Sequence, residues 1–72
     1  MNAERLVAMA NDIARYFASE PDHAEAVAGI GTHLRRFWEP RMRAGLIAHW
    51  RATGGEDLHE LAREAVARLA EG

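Results

Sequence analysis

Three interruptions constrain what this chain can fold into. Pro21, Pro40 and the Gly54-Gly55 pair cut seventy-two residues into four stretches, none longer than twenty. Proline removes a backbone donor and pushes its predecessor out of the helical region, and glycine is the residue that closes a helix in a left-handed conformation. Within each stretch apolar residues recur every three or four positions, and no segment alternates with period two over a useful length. The pattern predicts an all-α fold: one domain, residues 1–72, built as a small bundle of three to four short helices.

The boundaries follow from local chemistry. A first helix is expected from Ala3 to about Ser19, capped by Asn2, with Leu6, Met9, Ala10, Ile13, Ala14 and Phe17 on its apolar stripe. Asn11 and Asp12 fall largely opposite that stripe and read as a solvated face. A second helix starts at Asp22, which with Glu25 makes a capping box. It carries Val27, Ile30, Leu34 and Phe37 or Trp38 inward as far as Glu39-Pro40. Gly29 and Gly31 inside it read as places where another backbone approaches closely. Pro40 opens a third helix as its first residue, with Met42, Leu46, Ile47 and Trp50 apolar, and Gly54-Gly55 ends it. A second capping box, Asp57 with Glu60, is expected to start a fourth, with Leu58, Leu61, Ala62, Ala65, Val66 and Leu69 as its stripe.

A chain this short has a marginal core. Fifteen of its residues are alanine, which buries little area, so a partner protein is the expected additional stabiliser. Disulfides cannot supply it, because cysteine is absent. That absence also excludes a thiolate metal site and a cysteine nucleophile. Lysine is absent, and with it a Schiff-base amine; Ser19 is the single serine. No basic stretch followed by an apolar run opens the chain, and no apolar run approaches a membrane span, so a soluble, cytoplasmic protein is expected.

Charge is concentrated. From Arg35 to Arg51 five arginines face Glu39 alone, a net of +4; elsewhere four arginines meet ten acids, a net of −6, and the whole chain carries −2. Phe37, Trp38 and Trp50 lie within the basic stretch. Arginine and tryptophan dominate protein interfaces, because a rigid aromatic buries much area at small entropic cost and guanidinium binds carboxylate bidentately. The candidate partner-binding residues are therefore Arg35, Arg36, Phe37, Trp38, Pro40, Arg41, Met42, Arg43 and Trp50. Core packing is the competing role for the two tryptophans, and a solvated face the competing role for the arginines.

Other motifs fail on inspection. Gly29-Ile30-Gly31-Thr32-His33-Leu34 starts like a dinucleotide fingerprint but has leucine at the third glycine and no preceding strand. His59-Glu60-Leu61-Ala62-Arg63 has arginine where a zinc-binding helix needs its second histidine. His23, His33, His49 and His59 have no short ligand spacing, so no metal site is expected in the chain.

Two segments carry a resemblance. Met9-Ala10-Asn11-Asp12-Ile13 and the run His33-Leu34-Arg35-Arg36-Phe37-Trp38-Glu39-Pro40-Arg41-Met42-Arg43 resemble the delta subunit of the soluble, NAD-dependent, molybdenum-containing formate dehydrogenases. Phe37 to Arg43 is the specific part; the likeness covers about Leu6 to Gly55, and beyond Gly55 the chain is similar only in being amphipathic. The resemblance implies a non-catalytic accessory subunit of an enzyme that oxidises formate to carbon dioxide and reduces NAD. It implies larger subunits as partners, foremost the catalytic alpha subunit. Those subunits would hold the molybdenum pterin, the iron-sulfur clusters, FMN and NAD, and this chain none of them. Two other readings of the residues stay open: a small nucleic-acid-binding protein using the Arg/Trp segment, and a free-standing homodimer that covers its tryptophans with a second copy.

Overall fold

The computed structural model describes residues 2–72 as four helices joined by short turns: α1 (Ala3–Phe17), α2 (His23–Phe37), α3 (Pro40–Thr53) and α4 (Glu60–Glu71). No strand occurs among the described residues. Each helix touches the other three, and α2 against α4 is the most extensive contact. One apolar core gathers Leu6, Val7, Ala10 and Ala14 of α1, Val27, Ile30 and Leu34 of α2, Leu46 of α3, and Ala62, Ala65 and Val66 of α4, together with Trp38 and Leu58 from the turns. The alanines let the helices approach closely, and burial of the branched residues supplies the main apolar driving force.

The first two helices begin as the sequence predicts. The Asn2 side chain accepts from the Arg5 amide at 2.8 Å, and Asp22 accepts from the Glu25 amide at 3.1 Å. Each satisfies a donor that has no partner inside its helix. Pro40 occupies the start of α3, and Gly54 closes that helix at φ 83°, its amide donating to the Trp50 carbonyl.

The fourth helix starts later than the capping-box pattern predicts. Its N-cap is His59, whose Nδ1 accepts from the Leu61 amide at 3.1 Å. Asp57 turns instead to His49, its carboxylate 3.0 Å from Nε2, while Leu58 drops into the core from the loop. Asn11 accounts for the delay. Its Oδ1 accepts from the His59 amide at 2.7 Å, and its Nδ2 donates to the Asp57 carbonyl at 2.9 Å. The loop is thus fastened to the middle of α1, and Asn11 is a clamp and not part of a solvated face. Asp12 stays outside, exposed and paired with Arg15.

The two glycines of α2 also differ from expectation. At Gly29 the approaching group is an aromatic ring, not a backbone: a Cβ there would stand 2.5 Å from Cε1 of Phe17. At Gly31 the nearest outside atom is the Arg35 guanidinium at an ordinary 3.6 Å.

Candidate partner-binding surface

Among the described residues two large apolar side chains remain exposed outside the core, Tyr16 at 77% and Phe37 at 70%. Both border the seam between α1 and α2. Tyr16 meets Phe17 edge to face, ring centroids 5.2 Å apart, and Phe37 lies over His33 at 4.8 Å. The seam opens into two adjoining shallow grooves. One, of about 410 Å³, runs along α2 past Glu25, Ala28, Gly29, Thr32, Arg36 and Phe37, with Phe17 as its far wall. The other, of about 450 Å³, lies on the α1 side, between Ile13, Tyr16, Phe17 and His33. Gly29 seats the Phe17 ring that divides them.

The helical period explains the exposure. Tyr16 and Phe17 are neighbours on α1 and therefore point about 100° apart, so the stripe that carries Phe17 to the seam carries Tyr16 outward. Phe37 and Trp38 part company for a different reason. Phe37 is the last residue of α2, whereas Trp38 has left the helix with φ −90° and ψ 140°, and Glu39 stays extended ahead of Pro40. That swing drives the Trp38 indole into the core, where it is 6% exposed. As folded, the chain presents Phe37 and not Trp38.

The arginines diverge as well. Arg43 reaches back from α3, and its Nη1 donates to the carbonyls of Leu34 and Arg35, both at 3.2 Å, and to that of Trp38. It closes the end of α2, sharing the Leu34 carbonyl with the Trp38 amide, at a terminus where a cation is favoured. Arg36 lines the aromatic groove. Arg35 lines a cleft between α2 and α4, with Thr32 and Arg68. Arg41 lies beside Leu6, Met42 and Gly45 on another side. Pro40 is exposed at the α2–α3 corner and Met42 is half-buried against the core. Trp50, half-buried, lies over Gly55 and lines a groove with Glu60, Arg63 and Glu64. It is ten positions along α3 from Pro40, about 15 Å at the helical rise.

Of the nine residues singled out from the sequence, Arg36 and Phe37 thus share the aromatic groove. The structure adds Ile13, Tyr16, Phe17 and His33, which sequence reasoning missed. The available signal was the Tyr16-Phe17 doublet, in which Phe17 continues the apolar stripe of Leu6, Ala10 and Ile13 and Tyr16 stands beside it. Four ion pairs occur among the described residues, and none uses Arg35, Arg36 or Arg41.

One ion pair ties helix to helix. His23 at the start of α2 lies 2.9 Å from Glu64 of α4. The hydrogen bond and the charge of Glu64 raise the His23 pKa above its ordinary 6.5, and the same bond lowers that of Glu64 below 4.5. Arg68 adds a second, longer contact to Glu64 at 3.3 Å.

The bundle thus carries two exposed aromatics, and guanidinia outside any ion pair, around open grooves. The chain matches the family NADH-dependant formate dehydrogenase delta subunit FdsD over residues 5–66, and it belongs to that family. The match passes Gly55 and takes in α4 as far as Val66, further than the sequence likeness alone extends. A delta subunit has larger subunits as its partners. No curated protein and no solved structure matches the chain. No helix among the described residues is long and apolar enough to cross a membrane.

Proposed function

We propose that this chain is the non-catalytic accessory subunit of a formate dehydrogenase, docking on a larger subunit, foremost the catalytic alpha subunit, to support assembly, stability or the cofactor-loaded state of the complex. The cofactors of formate oxidation and NAD reduction then belong to the larger subunits. One observation carries the docking surface: in a bundle whose other described large apolar side chains are wholly or partly buried, Tyr16 and Phe37 stand exposed beside open grooves. Exposed aromatics flanking a groove, with a guanidinium beside them, have the composition of an interface centre. The arginines expected to form one patch face different sides of the α2–α3 corner, which favours a protein surface with local contacts over a continuous phosphate track.

The test is to express the larger subunits with this chain, without it, and with the Tyr16→Ala/Phe37→Ala double variant. Both side chains are exposed, so the variant keeps its fold, which far-UV circular dichroism checks. Reduced co-purification and reduced formate oxidation are expected without the chain and with the double variant. Unchanged assembly, metal content and activity in both cases would overturn the reading.

A further inference from the structure

The geometry points to an amphipathic helix of the larger subunit as the occupant of the α1–α2 groove, lying along α2 with a carboxylate at the Arg36 end and a cation at the Glu25 end. This inference rests on the docking reading above and adds the shape and charge order of what docks. Three observations carry it.

The groove follows one face of α2. Glu25, Ala28, Gly29, Thr32, His33, Arg36 and Phe37 recur at helical spacing, with Phe17 of α1 as the wall opposite. From Glu25 to Arg36 is eleven positions, about 16 Å, or three turns of a helix. Low residues (Ala28, Gly29 and Thr32) form the middle and aromatic rings rise at the sides, so the ridge of a third helix fits between the two.

The groove also offers no backbone partner. Its walls are two helices whose amides and carbonyls bond internally, and no strand edge occurs among the described residues. An extended segment laid there would bury main-chain donors and acceptors with nothing to meet them, whereas a helix arrives with its own already satisfied.

The two ends carry opposite charge, each placed favourably against the α2 dipole but outside any ion pair. Arg36 has no carboxylate partner and Glu25 no cationic one among the described residues. A helix with an acidic residue near one end and a basic residue near the other satisfies both and fixes its direction along α2.

Binding of the purified chain to the purified larger subunits, prepared without it, tests this at several salt concentrations. Arg36→Glu and Glu25→Arg should each weaken affinity about tenfold at low salt, and less at high salt. If Phe37→Ala weakens binding while both charge reversals bind as wild type at every salt concentration, the charged helix is excluded and the docking groove stands. If all three bind as wild type, the docking reading itself fails. A photo-crosslinking phenylalanine at Thr32 gives the shape. Crosslinks to one larger-subunit segment at every third or fourth residue are expected; crosslinks at alternate residues, or to a second copy of this chain, overturn the inference.

Discussion

Phe37 and Trp38 are chemically similar neighbours with opposite placements, and the difference is a single backbone turn. Trp38 is nearly sealed in the core and Phe37 is 70% exposed. Trp38→Ala removes a buried ring and leaves a cavity, an expected loss of about 3–5 kcal/mol. A domain of this length has a total of only about 4–11 kcal/mol, so the variant should lose about a third or more of its stability. Phe37→Ala should change stability by about 0.5 kcal/mol or less. Urea denaturation of the two variants side by side checks the assignment; equal losses would contradict it. The comparison also shows why docking is probed at Phe37, since a defect of Trp38→Ala in assembly would report folding first.

At the scale of elements, two contacts hold pieces that local preference alone does not position. Asn11 fastens the α3–α4 loop to α1 with one donated and one accepted hydrogen bond. Asn11→Ala leaves the half-buried His59 amide without its acceptor, an expected loss of about 1–3 kcal/mol. Hydrogen exchange at the His59 amide should accelerate in the variant, and exchange as slow as in the wild type would show that the clamp contributes nothing. Phe17 on Gly29 joins α1 to α2. Gly29→Ala gains about 1 kcal/mol of helix preference. It also forces the ring from its seat, because the new methyl would stand within 3 Å of two ring carbons. Overpacking costs about 1–3 kcal/mol, so a net loss of about 2 kcal/mol or less is expected, with large NMR shift changes confined to Phe17 and its neighbours. A variant stabilised by the full helix preference, with an unmoved ring, would show that the contact is not a close one.

For the molecule as a whole, pH acts through the α2–α4 pair. His23 has its pKa raised in the folded state, so its contribution is complete below 6.5 and fades as pH rises through the raised value. Glu64 has its pKa lowered, so its contribution is present above 4.5 and is lost as pH falls through the lowered value. Both hold between those limits. The melting temperature of His23→Ala should therefore fall furthest below that of the wild type between pH 4.5 and 6.5, and the two should converge as pH rises past the raised His23 value. A constant difference across the range would exclude the ion pair as its source. Both groups are solvated, so added salt should shrink the effect.

Helix type, helix number and three of the four starts were legible in the sequence because their causes are local: apolar spacing, a side chain capping its own turn, proline before a helix and glycine after one. The likeness of the Phe37–Arg43 run to a delta subunit was local too, and the family match over residues 5–66 extends it. The start of α4 was not legible, because the Asp57 signal competes with a hydrogen bond from Asn11, forty-six positions away. The scatter of the expected patch has the same kind of cause. Sequence proximity places Arg36, Trp38, Arg43 and Trp50 together, but the corner at Glu39-Pro40 turns one indole inward, bends one guanidinium onto the end of α2, and leaves the other indole about 15 Å along α3. Tyr16, Phe17 and His33 join Phe37 through the packing of α1 on α2, and the direction in which a helix packs depends on distant residues that no local window contains.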